Sequence, residues 1–245
     1  MEKETRHDLK ISGVGSASGG IFNNVIIEGK GNISGDLDCA DFQTNGVSSI
    51  NGSIKSITGR INGKSEIKGK LEAKEFKISG SSKIHDNVSV KEIKIEGSAS
   101  LSGSLSAEEV KIQGGVKVKG DCQAEIFSAK GAFTIGGLLN AGNIEVILYG
   151  GSQAREIGGE KINIRKEKAN RIISFFESML AFGRGLSTDT IEGDDIYLEY
   201  TRAKVVRGNN VSIGPGCVIE LVEYRNIFQQ VRDATVTEHR KLNPE

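Results

Sequence analysis

The chain has 245 residues, no tryptophan, 5% aromatic residues, 32 glycines and a formal net charge of +0. So few bulky side chains argue against an ordinary globular core, and a balanced charge gives no long-range attraction to nucleic acid or acidic lipid. Neutrality also weakens the repulsion that keeps identical copies apart.

In chain order, residues 1–8 (MEKETRHD) are charged and predict a disordered leader without the apolar region of a signal peptide. No apolar run approaches a membrane span, so a cytoplasmic location is expected. From Leu9 a repeat begins. Leu9 and Ile11 form one inward doublet, and a coil one residue short runs on to Val25 and Ile27. The pattern then locks to seventeen residues. Glycine stands at 29, 46, 63, 80, 97, 114 and 131, and four residues after each comes Ile33, Ile50, Ile67, Ile84, Leu101, Val118 or Ile135. A second glycine follows two residues later in every unit but one, where Asp86 takes its place.

Counting each leading glycine as zero, apolar or small side chains pair at +2/+4, +8/+10 and +13/+15. Each pair has the period of two that a strand requires. Seventeen-residue spacing with such doublets scatters around a helix, so a helix is excluded. Three short strands with glycine corners make one coil, and coils stack at about 4.8 Å. A coil buries about six side chains at roughly 1.5 to 3 kcal/mol each, against about 1 to 2 kcal/mol of ordering cost per residue. One coil alone is therefore unstable, and the predicted fold is an all-β, three-sided parallel β-solenoid held by stacking.

The array is expected to span residues 9–164, with a phase slip after Val146 and a last doublet at Ile162 and Ile164. Residues 165–186 change period. Ile172, Phe175, Phe176, Met179 and Leu180 recur at helical spacing before Gly183, which predicts an inserted amphipathic helix that covers the stack, touches a membrane surface or binds a partner. Further coils are expected over 187–224, where Val211/Ile213, Cys217/Ile219 and Val222/Tyr224 flank a Gly214-Pro215-Gly216 corner, for about eleven coils in all. Residues 225–245 lose the pattern and predict a polar tail.

The chemistry-bearing residues are sparse. His7, His85 and His239 lie far apart in the chain, so no shared metal site is expected. Cys39, Cys122 and Cys217 fall at inward positions, which predicts buried free thiols and a reducing compartment. Position +12 carries Asp41, Glu75, Glu92 and Glu109, and +14 carries Arg60, Lys77, Lys94 and Lys111. These columns predict a solvated, self-neutralising face, or else a stripe for docking a partner. No Gly-x-Gly stretch leads from a strand into a helix with a following Lys-Ser/Thr, so no phosphate loop is expected.

Units such as Gly69-Lys-Leu71-Glu-Ala73-Lys-Glu-Phe76-Lys-Ile78-Ser-Gly80 and Gly103-Ser-Leu105-Ser-Ala107-Glu-Glu-Val110-Lys-Ile112-Gln-Gly114 resemble the repeats of bactofilins over about residues 28–147. The resemblance implies a right-handed β-helix that polymerises through its ends without nucleotide and serves as a scaffold in cell shape, envelope growth or motility. It implies no enzyme activity and no cofactor. The partner would be the chain itself, with a related bactofilin as a second candidate. The apolar leader by which some members reach the membrane is not seen in residues 1–8, so membrane attachment is left open. Bare strand edges make the terminal coils the expected working parts, with Leu9, Ile11, Ile21, Val222, Tyr224 and Phe228 as polymer-interface candidates. Two alternatives are a non-polymerising module that docks a partner through the Glu/Lys face or the helix, and an enzyme of the hexapeptide-solenoid type.

Overall fold

The glycine-led repeat folds as stacked parallel strands in the computed structural model, which describes residues 6–167 and 185–243. The expectation of an all-β parallel solenoid holds, and no helix occurs among the described residues. Ile172, Phe175, Phe176, Met179 and Leu180, on which an inserted helix is expected, lie outside them. Strand continues to Lys166 and resumes at Leu186, so Arg165, Lys166 and Leu186, expected within the insert, are strand because backbone pairing runs past the apolar pattern. The chain divides into two units, Met1–Gly120 and Asp121–Glu245.

The first unit begins with β1 (His7–Thr44), so strand starts inside the expected leader. It continues through β2 (Val47–Asn51), β3 (Ile54–Ile61), β4 (Lys64–Ile67), β5 (Leu71–Ile78), β6 (Ser81–Ile84), β7 (Val88–Ile95), β8 (Ser98–Leu101), β9 (Leu105–Ser106), β10 (Glu109–Ile112) and β11 (Gly115–Val118). The strands stack in two parallel series. One runs β1, β2, β4, β6, β8, β11 and brings Ile33, Ile50, Ile67, Ile84, Leu101 and Val118 into a single column. The other runs β1, β3, β5, β7 and then β9 and β10, stacking Ile61, Ile78, Ile95 and Ile112. All of these side chains are buried. β-Branched side chains suit a pleated, packed face, which is why isoleucine recurs here.

The leading glycines owe their phase to a steric limit at one corner. A Cβ added to Gly46, Gly63, Gly80, Gly97 or Gly114 would land on the carbonyl oxygen of the leading glycine one coil earlier. Only hydrogen fits there. By contrast, a Cβ at Gly115 would meet nothing within 4 Å. A second corner is held by side chains: Asp36, Asn87 and Asp121 accept hydrogen bonds from the backbone N–H of Ser53 (2.7 Å), Ser104 (2.8 Å) and Leu138 (2.8 Å), each seventeen residues ahead. At the one unit lacking the second glycine, the Asp86 carboxylate accepts the N–H of Asn87 at 2.7 Å.

The second unit holds β12 (Cys122–Leu148), β13 (Ser152–Lys166), β14 (Leu186–Leu198), β15 (Thr201–Ile213), β16 (Val218–Gln230) and β17 (Thr235–Lys241). Its coils are unequal. Ile144 pairs with Ile162 and Ile162 with Ile196, and the ladder shifts between Ile135 and Leu138 and again between Gly208 and Asn210. Residues expected to be a polar tail form the second half of β16 and all of β17, because backbone pairing extends beyond the apolar pattern that predicted the boundary. The Gly214-Pro215-Gly216 corner is real. Gly216 has φ 70 and packs against Tyr200, a non-glycine residue at φ 47.

Candidate assembly surfaces

Both units bury their apolar residues in interior columns and leave one thinly covered stretch each. In the first unit, Ile11 is the only buried residue between His7 and Asn24, while Val14 is 86% exposed and Ile21 50% exposed. Leu9 is half-buried. Of the three candidates named at this end, Ile21 is the one that presents its side chain to solvent. A shallow cavity of about 380 Å³ lies beside it, lined by Leu37, Ile54, Lys55 and Lys70 among others.

In the second unit the thin stretch is β17, in which no residue is buried. It pairs with Val218–Tyr224 of β16, so Val222 stacks beneath His239 and Tyr224 beneath Lys241. The expected tip residues Val222 and Tyr224 thus lie under one more strand. Phe228 sits in the half of β16 that β17 does not overlie, where it meets His239 at 4.8 Å and Tyr224 at 5.5 Å between ring centroids.

The two units also carry different charge ladders. In the first, register stacks Glu75, Glu92 and Glu109 directly above one another, and Lys77, Lys94 and Lys111 likewise. Like charges repel along each column, and relief comes from the side: Lys111 reaches Glu92 at 3.1 Å and Glu109 at 2.8 Å. Lys94 and Lys77 hold the Glu96 carboxyl down to about 2. Lys68 and His85 do the same for Glu66. In the second unit the column alternates in sign. Glu192, Arg207, Glu223 and Arg240 follow one another in register. Glu223, with a side chain only 4% exposed, binds Arg207 at 2.6 Å and also pairs with Arg240. Hydrogen bonds from Arg240 and Arg207 hold its carboxyl below the usual range, against the opposing effect of burial.

Sequence reasoning missed this second ladder. Its members are 15, 16 and 17 residues apart, so no fixed period lines them up.

The remaining chemistry is quiet. Burial pushes the thiols of Cys39 and Cys122 up to about 12 and that of Cys217 up to about 11, which keeps them protonated. The histidines stand in separate surroundings: His7 opens β1, His85 pairs with Glu66 and His239 rests on Phe228. No group of three or more metal-ligating side chains converges among the described residues. An open groove of about 650 Å³ in the second unit has a floor of Ala141, Gly159, Gly193 and Gly208 between Glu192 and Arg207. No helix among the described residues is long and apolar enough to cross a membrane.

Interior columns of stacked side chains and corner glycines define a parallel β-solenoid repeat protein. Residues 47–123 match the bactofilin family, described as polymer-forming cytoskeletal. The chain is 56% identical over 235 residues to the uncharacterized protein YhbE of Bacillus subtilis (strain 168), covering 96% of this chain and 98% of that one. It is 45% identical over 89 residues to the uncharacterized protein YhbF of the same organism, a match spanning 36% of this chain and 34% of YhbF. The chain belongs to the bactofilin family. No solved structure matches it significantly.

Proposed function

We propose that this chain is a cytoplasmic structural scaffold that self-assembles end to end, without nucleotide, and positions other proteins for cell shape, envelope growth or motility. Right-handed three-sided coils and the absence of enzyme activity belong to the same reading. The observation that carries it is the thin coverage of the first coil, where Val14 and Ile21 of β1 are exposed. A strand with unsatisfied N–H and C=O groups and exposed aliphatic side chains is a template for another strand. The family description as polymer-forming agrees.

Electron microscopy and pelleting of purified protein without nucleotide test the proposal. Filaments are expected, and Ile21→Glu should abolish them while leaving the circular dichroism spectrum unchanged. A wild-type protein that stays monomeric at high concentration would overturn self-assembly. The in-register Glu and Lys columns favour a second reading, a docking face for a client protein. Reversing Lys77, Lys94 and Lys111 to Glu should then release the client without touching filaments.

A further inference from the structure

Strand β17 joins two features that rarely go together. Its seven residues leave no side chain buried, so little apolar contact holds it. Yet it completes the surroundings of Glu223, the one buried charged residue among the described residues. Arg240 supplies half of that carboxylate's charge-assisted hydrogen bonds and Arg207 the other half. A backbone ladder over Val218–Tyr224 and the stacking of His239 on Phe228 make up the rest of the attachment.

We infer that β17 is an exchangeable strand, whose place on β16 can be taken by β17 of a second copy of this chain. A weakly packed strand joined by a short turn is the setting in which copies trade identical elements. Simple removal of β17 would bare Ile219 and Val222 and leave Glu223 with one cation instead of two. Half-paired buried charge is costly, so an apolar surface cannot substitute for β17. Another β17 can. It brings the same in-register backbone, an arginine opposite Glu223 and a histidine opposite Val222. The connecting residues Val231–Ala234 form a turn held by four hydrogen bonds: from Val231 N–H to the Ile213 carbonyl (3.1 Å), from Ala234 N–H to the Val231 carbonyl (3.2 Å), from Gly216 N–H to the Asp233 carbonyl (3.0 Å) and from Gln230 Nε2 to the Ala234 carbonyl (2.8 Å). Val231, Arg232 and Asp233 are exposed and Ala234 is buried. Extended, four residues reach about 13 Å, enough to hand the strand to an adjoining copy.

Exchange would be one route to the self-association proposed above, and it rests on that reading only for its biological use. The test mixes two full-length single variants, Val218→Cys and Thr235→Cys, under mild oxidation. Positions 218 and 235 are register partners and both are exposed, whereas the native Cys39, Cys122 and Cys217 are buried. A disulfide joining the two variant chains can form between register partners only if one chain's β17 lies on the other's β16. The expected result is such heterodisulfide dimers at a yield about tenfold above a control mixture of Ile57→Cys with Thr235→Cys, because exchange raises the local concentration of the registered pair. Exposed Ile57 has no register relation to position 235 and lies outside the end surfaces proposed above. A Val218→Cys/Thr235→Cys chain oxidised beforehand ties β17 to its own β16 and should form no exchanged dimer. Heterodisulfide at the control level overturns exchange, even if filaments form. Heterodisulfide dimers without filaments support exchange and count against end-to-end assembly.

Discussion

The first unit, residues 1–120, and the second, residues 121–245, solve the same stacking problem in different ways. In the first, every coil from Gly29 onward is seventeen residues, so like residues stack: glycine over glycine, isoleucine over isoleucine, glutamate over glutamate. Constant length suits steric and apolar columns, which improve when like packs on like, and penalises charged columns, which do not. In the second, coils of 15, 16 and 17 residues shift the chain between layers, and opposite charges come to alternate in one column. Irregular length thus places Arg207 beside a buried carboxylate where a strict seventeen-residue spacing would have put Val206.

The sharpest break in that comparison comes from glycine. Gly63→Ala drives a Cβ into the Gly46 carbonyl and should cost roughly 3 kcal/mol or more, read as a lowered urea midpoint. Gly115→Ala, also a glycine of the regular unit, should change stability by less than about 0.5 kcal/mol, since its Cβ enters open space. Equal losses from the two would remove the steric account of the repeat.

Next in size is the charge contrast. Arg207→Met takes one of two cations from Glu223 and should destabilise the second unit by about 1 to 2 kcal/mol, the arginine being partly exposed. Lys111→Gln in the first unit should leave the urea midpoint where it is, because its pairs face solvent. A larger loss from Lys111→Gln than from Arg207→Met would reverse the comparison.

Acid gives a smaller, graded effect. Glu66, Glu96 and Glu223 all have carboxyls held below their unfolded value, so their contribution is full above the ordinary carboxylate value of 4.5. It declines as pH falls toward about 2, where Glu66 and Glu96 take up protons. Thermal scans should show the Glu223→Gln variant losing less stability than wild type over that window. Equal losses would mean Glu223 does not contribute to acid sensitivity. The smallest effect belongs to Ser82→Ala, which removes a buried hydroxyl that has no hydrogen-bond partner and should leave stability unchanged or raised by up to about 1 kcal/mol.

Residues show how far the repeat could be read. Ile33, Ile50, Ile67, Ile84, Leu101 and Val118 declare their column by spacing alone, and the structure buries all six. Asp36, Ser53, Asn87 and Ser104 share one corner position and could have been read as hydrogen-bonding corners, since each is small and polar. Tyr224 and Val222 were legible as apolar strand residues but not as residues beneath β17, because Thr235–Lys241 carries no apolar alternation to mark it as strand. Backbone pairing needs no such signature.

The amino-acid order alone determined the coil, because a constant period lets local steric rules act identically in every layer: a glycine where a Cβ would meet a carbonyl, an aliphatic side chain where the interior lies. It also determined the burial of the three cysteines, through their phase. Only the tertiary structure decided which charges meet. In the second unit the register changes from coil to coil, and the partners of Glu223 follow from how strands align in space, which no spacing along the chain encodes.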